Sequence, residues 1–399
     1  MNKNKRAERI GLKQLENRNK KGITLIALVI TVVILIILAT ITLNVVLGEG
    51  GLIQRAQQAK ELTEQAALEE QQGLNDLMSE MNNIMEEDQT PTEEETMTIE
   101  EAKPNPGEDG PKLESITTIT DDLGNKIKVP EGFHLDQDSG TKVEEGIVIE
   151  DDNGNQFVWI PVGEYNVSTS INSSGKLTNE LTRRTFTSTG STPVSGDDVI
   201  ETYYYGEGDS RSVAKDQIEA FKTSSNTNKG FYIGRYEQGE GNVCKAGIDP
   251  YINITRDEAK AQAEAMYNGN EFITSQLISS YAWDTALNFI CQTNGEGYLL
   301  ATTTNSSYAN IGTNNKTKTG EYSADNYSNI HDFLGNRSEW TTEYSSYTDT
   351  TGTGTLVNCS IRGGLCAGGT GSHAANRGNS SLTYNGESYY SFRVQLYIK

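Results

Sequence analysis

The chain is poor in the residues that most often bind metals or act as nucleophiles. Its 399 residues include three histidines and four cysteines. The histidines lie far apart, and no His-x-x-x-His or Cys-x-x-Cys spacing occurs, so the sequence indicates no zinc site. A Gly-x-Ser-x-Gly nucleophile turn and a glycine-rich phosphate loop are also missing. These absences argue against the common hydrolase and nucleotide-binding classes.

Positive charge is scarce as well. The chain has 33 Lys and Arg residues against 55 Asp and Glu residues, with a net charge of −22 and a pI of about 4.6. Nucleic-acid binding needs a basic surface, so this composition predicts no nucleic-acid partner.

The cysteines are too few and too irregularly spaced for a disulfide scaffold. Cys359 and Cys366 are the closest pair, and in an oxidising compartment they are positioned in the sequence for one disulfide. The alternative, that all four cysteines are reduced and buried, stays open.

One long stretch carries no charge at all. Residues 23–47 are almost entirely aliphatic, and at about 1.5 Å of rise per residue a helix of this length matches a hydrocarbon core of roughly 30 Å. Residues 1–22 hold eight basic residues against two acidic ones. The sequence therefore predicts a single-pass membrane protein with a cytoplasmic leader (1–22), a transmembrane helix (23–47) and an extracellular remainder.

The junction between the leader and this apolar stretch reads Lys20-Lys21-Gly22-Ile23-Thr24-Leu25-Ile26. It resembles the N-terminus of type IV prepilins and type II secretion pseudopilins. The resemblance implies cleavage between Gly22 and Ile23 by a prepilin peptidase, and methylation of Ile23. Most family members carry Glu where this chain has Ala27, which implies a minor or tip subunit, or an anchored protein that never polymerises.

The segments after residue 47 differ sharply in composition. Residues 52–87 repeat apolar positions at spacings of three, four and seven, which predicts an amphipathic stalk helix. Residues 88–112 are acidic and proline-rich, which predicts a disordered linker. Residues 113–399 are rich in strand and turn patterns, which predict a separate domain.

Within that domain, Asn153-Gly154 lies between two apolar runs and predicts a β-hairpin over residues 146–162. The surrounding acidic cluster, residues 151–155, lacks the ligand spacing of an EF-hand, so a turn is preferred and calcium binding is left open. Helices are predicted over residues 255–267, where Thr255 and Glu258 form a capping box, and over residues 275–291.

Five short patterns then occur in order across residues 157–399. They are Phe157-Val158-Trp159-Ile160-Pro161-Val162-Gly163, Phe231-Tyr232-Ile233-Gly234-Arg235-Tyr236-Glu237, Gly335-Asn336-Arg337-Ser338-Glu339-Trp340, Arg362-Gly363-Gly364 and Phe392-Arg393-Val394. Together they resemble the formylglycine-generating-enzyme, or sulfatase-modifying-factor, domain. The resemblance implies an α+β fold of the C-type-lectin-like kind, with a twisted antiparallel sheet, two helices and long loops.

Catalysis of the family's type is not expected from this chain. The oxygen-dependent enzymes of the family hold copper with two cysteines shortly after the Gly-Gly turn. This chain has Cys366 there, offset from the family position, and no cysteine after it. A single thiol does not form such a site. Asp332, Glu339 and Glu343 could form a carboxylate site, but a structural role in a turn and strand is preferred.

The segment 367–390 has a different character, being rich in Tyr, Ser, Asn and Gly. These residue types suit adaptable recognition surfaces, and an irregular structural loop is an equally good alternative. The residues predicted to bind a ligand are His373, Asn376, Arg377, Tyr384, Asn385, Tyr389 and Tyr390.

The sequence thus predicts a membrane-anchored minor pilin-like or pseudopilin-like surface protein that displays a lectin-like, ligand-binding adhesion domain. A purely structural minor subunit of a pilus or pseudopilus is the alternative, and a formylglycine-generating oxidase is disfavoured. Expected partners are the membrane, prepilin peptidase, other pilin or pseudopilin subunits and an extracellular glycan or protein ligand. No catalytic residue, metal or cofactor is expected, apart from the open question of calcium.

Processing at Gly22–Ile23 has a direct test. We expect the intact mass and N-terminal sequence of the protein purified from its native cell to show Ile23 as the first residue, with one added methyl group. An intact Met1 contradicts the resemblance to prepilins.

Overall fold

The computed structural model describes part of the chain, and it divides the protein into two compact units, Met1–Thr92 and Glu93–Lys399. The described residues are 28–39, 60, 95–105, 110–194, 210–348, 355–368, 372–380 and 387–399. The leader, the Gly22–Ile23 junction, Ala27 and all of the predicted stalk except Lys60 lie outside these ranges.

The predicted membrane helix is not supported. Within residues 23–47 the structure describes residues 28–39, which are helical. Across all the described ranges, no helix is both long enough and apolar enough to cross a bilayer. The predictions of a transmembrane helix and of a single-pass cell-membrane localisation are therefore wrong.

The second unit, residues 93–399, contains mainly short strands. Its helices are α1 (Ile99–Ala102), α2 (Ser210–Thr227), α3 (Arg256–Ala265), α4 (Ser280–Thr293) and α5 (Leu299–Thr302), with 3₁₀ turns at Val143–Glu145 and Glu387–Tyr389. Its strands are β1 (Thr96–Thr98), β2 (Thr117–Thr120), β3 (Lys126–Val129), β4 (Phe133–Leu135), β5 (Val148–Asp151), β6 (Gln156–Pro161), β7 (Gly163–Asn166), β8 (Lys176–Asn179), β9 (Arg184–Thr187), β10 (Gly190–Pro193), β11 (Gly230–Gly234), β12 (Ile273–Leu277), β13 (Asn326–Tyr327), β14 (Ile330–His331), β15 (Ser338–Thr348), β16 (Thr355–Arg362), β17 (Gly378–Ser380), β18 (Tyr390–Phe392) and β19 (Val394–Ile398).

The largest sheet has six strands in the order β12-β19-β11-β6-β5-β4, and all its pairings are antiparallel. Strands β6 and β11 lie at its centre, and Trp159 packs edge-to-face on Tyr232 with ring centroids 5.0 Å apart. Gly230 faces Trp159 so closely that a Cβ atom there would lie 2.1 Å from the indole ring. This glycine is therefore required for the close approach of the two strands.

A four-stranded sheet, β17-β16-β15-β18, contains a parallel pair between β15 and β18, and smaller sheets complete the domain. In total the described strands form six sheets. The predicted fold class, a membrane helix and stalk followed by a C-type-lectin-like domain with one twisted antiparallel sheet and two helices, is therefore wrong. Three pairs of consecutive short strands, β7–β8, β9–β10 and β13–β14, each form a separate two-stranded sheet.

Two hairpins of the domain use the same five-residue turn. Asp121 Oδ1 accepts hydrogen bonds from the backbone N–H groups of Leu123 and Asn125, and its Oδ2 accepts one from the Asn125 amide. In the β5–β6 hairpin, Asp151 accepts the equivalent three bonds from the residues at the same spacing. The predicted hairpin over 146–162 is confirmed, and the carboxylate of Asp151 is occupied by its own turn.

Each turn also holds a neighbouring segment through its last Asn. Asn125 exchanges two hydrogen bonds with the backbone of Asn166, and Asn155 accepts one from the buried backbone N–H of Cys244 at 2.9 Å. The repeated sequence Asp-Asp-x-Gly-Asn is thus both a turn and an attachment point.

Residues placed in the predicted acidic linker are partly ordered. Strand β1 pairs with β2, and α1 begins with a capping box formed by Thr98 and Glu101. Ile99 and Ala102 are 2% exposed. The described part of this range packs on the domain because two small apolar side chains are available on one face of a helical turn.

The predicted helices are correct in part. Helix α3 has the expected capping box between Thr255 and Glu258. The second helix begins only at Ser280, because Ser275 and its neighbours form β12 and pair with β19. Periodicity did not reveal this strand, since its pairing partner lies about 120 residues later in the sequence.

The turn at Asp151–Asn155 has a direct stability test. We expect Asn155→Ala to lower the free energy of unfolding by about 1–3 kcal/mol, because it leaves the buried N–H of Cys244 without an acceptor. Urea unfolding followed by tryptophan fluorescence measures this. The matched control is Asn153→Ala in the same turn, whose exposed side chain makes a change within about 0.5 kcal/mol the expected result. Equal losses in both variants would contradict the assignment.

Candidate ligand-binding site

A polar pocket of about 510 Å³ lies along the edge strand β4 of the six-stranded sheet. Pockets that hold small molecules commonly measure about 300–1,000 Å³. The polar and charged side chains of its lining include those of His134, Asp136, Glu150, Gln156, Arg235 and Lys245.

Strand register brings four of these side chains into one row. His134 on β4 pairs with Glu150 on β5, and Glu150 pairs with Gln156 on β6. Arg235, directly after β11, donates its backbone N–H to the carbonyl of Gln156. Directly paired residues point to the same face of a sheet, so the row follows from the antiparallel pairing alone.

Hydrogen bonds hold the floor of the pocket rigidly. Gln156 Nε2 donates to Asp136 Oδ2 at 3.0 Å and to Glu150 Oε2 at 2.6 Å. Arg235 Nη1 donates to Asp136 Oδ1 at 3.2 Å and to Gln156 Oε1 at 2.9 Å. Both Arg235 and Asp136 are buried, so this ion pair is shielded from solvent.

Two charged groups of the pocket have atoms available to contact a ligand. The Oε1 atom of Glu150 lies 3.9 Å from His134 Nε2. The amino group of Lys245 makes no hydrogen bond or ion pair with a described residue. It lies close to Gly154 in the turn: a Cβ atom built on this glycine would be 3.0 Å from Lys245 Nζ. A free cation beside a partly free carboxylate suits a ligand that carries both charges.

Sequence reasoning did not find this pocket. Its lining comes from positions 104 to 246, and of the quoted motifs the Asn153-Gly154 hairpin and the Phe231–Glu237 pattern reach it. The available signal was the hairpin register, which places Glu150 and Gln156 opposite each other, but the position of His134 depends on the additional strand β4.

Two of the described residues predicted for ligand recognition, Arg377 and Tyr390, have partners inside the domain. Arg377 donates from Nε to Glu343 Oε1 at 2.7 Å and from Nη2 to Asp284. Tyr390 packs edge-to-face on the buried Trp340, with ring centroids 5.2 Å apart. Arg377 and Tyr390 therefore contribute to the interior of the domain.

The remaining predicted residues have mixed positions. Tyr389 lies under the amino group of Lys316, 4.2 Å from its ring centroid. His373 is half-buried, and burial is the main cause that lowers its pKa. The backbone N–H of Asn376 donates to the carbonyl of His373. Tyr384 and Asn385 lie outside the described residues, as do Gly22 and Ile23.

A buried network of two acids and two arginines explains the role of Arg377. Arg362 donates to Asp284 at 2.6 Å and to Glu343 at 3.4 Å, and both acids also accept from Arg377. Burial raises the pKa of Glu343, while both guanidinium groups lower it. The charges balance, so this cluster is a structural network under the second sheet.

The carboxylates considered as a possible site have separate structural partners. Glu339 is fully buried and pairs with Arg393 at 2.8 Å, and Trp340 is in the core, as predicted. Asp332 Oδ2 accepts the backbone N–H of Gly320 at 2.6 Å, and its Oδ1 is buried without a partner. Burial is the main cause that raises the pKa of Asp332 to about 7.

The thiols that the structure describes are poor nucleophiles. Cys244, Cys291 and Cys366 are free and buried, so Cys366 forms no disulfide with Cys359. Burial raises the pKa of Cys244 to about 11 and is also the main cause that raises that of Cys366. Among the described residues, no group of three or more His, Cys, Asp or Glu side chains is arranged to hold a metal ion.

Comparisons with known proteins assign no family. No family model matches the chain, and no curated protein matches it either. Among solved structures, PvdO from Pseudomonas aeruginosa matches with 13% sequence identity, covering 63% of this chain and 97% of PvdO, at a TM-score of 0.35. A likeness at that TM-score carries no argument about fold or function.

These comparisons bear on the two resemblances differently. Without a spanning helix in the described ranges and without a matching family model, the assignment to a prepilin of a type IV pilus or type II secretion system is not supported. The resemblance to the formylglycine-generating-enzyme domain stays a prediction from five short patterns.

The buried carboxyl of Asp332, whose Oδ1 atom has no partner, predicts a pH dependence. Its pKa is about 7 in the folded protein and about 3.9 in an unfolded chain, so its contribution to stability falls as the pH rises from about 4 to about 7. We expect Asp332→Asn, which suits the positive φ of 58° at this position, to gain stability over the wild type across that range.

Thermal unfolding of the wild type and Asp332→Asn at several pH values between 4 and 8 measures this difference. Asp122→Asn, at an exposed position in the domain, is the control and should follow the wild type at every pH. A constant difference between Asp332→Asn and the wild type over the whole range would contradict the assigned pKa.

Proposed function

We propose that residues 93–399 form a non-catalytic ligand-binding domain. Its site is the polar pocket along β4, and its ligand is a small polar molecule, or the end of a glycan or peptide, that carries an anionic and a cationic group. The observation that carries this proposal is the pairing of a free Lys245 amino group with a partly free Glu150 carboxylate above a rigid polar floor.

The rigidity of the floor supports binding. Gln156 and Asp136 form hydrogen bonds with each other and with Arg235, so the floor of the pocket does not need to rearrange when a ligand enters. A site whose polar groups are already oriented loses less conformational entropy on binding. The few free groups then determine which ligand is accepted.

The pocket chemistry supports binding over catalysis. Among the described residues, its lining contains no cysteine, serine or threonine, and the imidazole of His134 lies beside a carboxylate rather than a nucleophile. Nucleophilic catalysis requires a nucleophile within hydrogen-bond reach of a base. A recognition role is the simpler use of these groups.

Charge-removing variants test the proposal. Glycan and peptide arrays probed with the wild-type protein identify bound ligands, and isothermal titration then compares Lys245→Met and Glu150→Gln with the wild type. We expect each variant to weaken binding of a pocket ligand at least tenfold, about 1.4 kcal/mol, because each removes one charged contact.

The control is Lys126→Met, which removes a charge at an exposed position on β3, outside the pocket lining, and should leave affinity unchanged. Ligands whose affinity is the same in both pocket variants and the wild type bind elsewhere, and that result overturns the assigned site. Absence of any ligand on both arrays favours a purely structural subunit.

A further inference from the structure

Arg337 is a buried cation outside the pocket, and it forms no ion pair with a described residue. The side chain of Arg337, just after the Gly335-Asn336 turn, is 5% exposed. Its Nη1 atom contacts Asn336 Oδ1 at 3.0 Å, the Asn336 carbonyl at 3.4 Å and Cys366 Sγ at 3.7 Å. Its Nε atom is buried and has no partner. No described residue forms an ion pair with this guanidinium, although buried charges are normally paired.

The acceptor groups around Arg337 already receive hydrogen bonds from other donors. Glu237 accepts the backbone N–H of Arg337 at 2.8 Å and the amide of Asn336 at 2.7 Å, so its two oxygens are used without contacting the guanidinium. Asn336 Oδ1 also accepts from Asn310 Nδ2 and from the N–H and hydroxyl of Thr317. A carbonyl oxygen has two lone pairs, so it is a weak partner for a fourth donor.

A second positive charge lies on the surface nearby. Lys316 is exposed, its amino group lies 4.2 Å from the Tyr389 ring centroid, and it donates to the hydroxyl of Ser388. Thr317, the residue after Lys316, donates from its backbone N–H and its hydroxyl to Asn336 Oδ1 at 3.2 Å, and Arg337 Nη1 donates to the same oxygen at 3.0 Å. This shared acceptor connects the segment of Lys316 to the buried guanidinium. Burial raises the pKa of the Cys366 thiol, and the charges of Arg337 and Lys316 act in the opposite direction.

We propose that Arg337 and Lys316 form a binding site for an oxyanion, a carboxylate or phosphoryl group, beside the Cys366 thiol. The unused Nε of Arg337 belongs to a planar fork that matches two oxygens of such a group, and Lys316 adds a flexible point charge at the entrance. In a chain with a net charge of −22, anions are repelled from most of the surface, so binding there depends on these two residues. This site is independent of the pocket along β4.

Titration of the full-length protein with inorganic phosphate, and separately with acetate, at constant ionic strength tests the proposal. We expect saturable binding of at least one anion to the wild type. Arg337→Met should raise the dissociation constant at least tenfold, as expected for loss of charged hydrogen bonds. Lys316→Met should raise it about two- to fivefold, the size of an exposed charge contact. Lys318→Met, two residues away, should change nothing.

The comparison of the two anions separates a phosphoryl ligand from a carboxylate ligand. Alkylation of Cys366 in the wild type, read by peptide mass spectrometry with Cys244 and Cys291 as internal controls, provides a readout that needs no variant at Arg337. Bound anion should slow alkylation of Cys366 alone. No saturable binding of either anion, or binding that is unchanged in both Arg337→Met and Lys316→Met, overturns the proposal. If Arg337→Met does not fold, Lys316→Met and the alkylation rates decide.

Discussion

The domain depends on one buried arginine at the junction of its two main sheets. Arg393 lies between β18, in the four-stranded sheet, and β19, in the six-stranded sheet. Its guanidinium donates to both oxygens of Glu339 on β15, to the carbonyl of Gly234 on β11 and to the carbonyl of His331 on β14. A single side chain thus joins three elements, β15, β11 and β14, to the β18–β19 connection.

The buried Arg393–Glu339 pair affects both the stability of the domain and the orientation of its sheets. Arg393 and Glu339 are both fully buried, so removing one partner leaves a charge without compensation in a medium where charges are costly. The guanidinium also lies 5.4 Å from the Phe333 ring centroid, which adds a cation–π contact. Because the hydrogen bonds leave in fixed directions, the pair specifies the orientation of the sheets as well as holding them together.

Arg393 and Arg337 differ in whether the protein supplies a carboxylate partner for the buried guanidinium. Arg393 and Arg362 both form ion pairs with buried carboxylates of the protein. Arg337 has none among the described residues, and Lys245 in the pocket also lacks one. These two groups are therefore the positions at which we propose an external partner.

The sequence alone determined the features that depend on neighbouring residues. The turn at Asn153-Gly154, the capping box of α3 and the core position of Trp340 follow from local patterns, because a turn or cap is formed by residues within a few positions of one another. Tertiary structure decided everything that depends on distant pairing. It placed Arg377 in a buried network rather than on a recognition surface, ordered part of an acidic segment, turned residues 273–277 into a strand and assembled the pocket from four strands. The physical reason is that the energy of a charged or polar side chain is set by which partners surround it, and those partners can lie far away in the sequence: the carbonyl of Gly234, which accepts from Arg393, is 159 residues away.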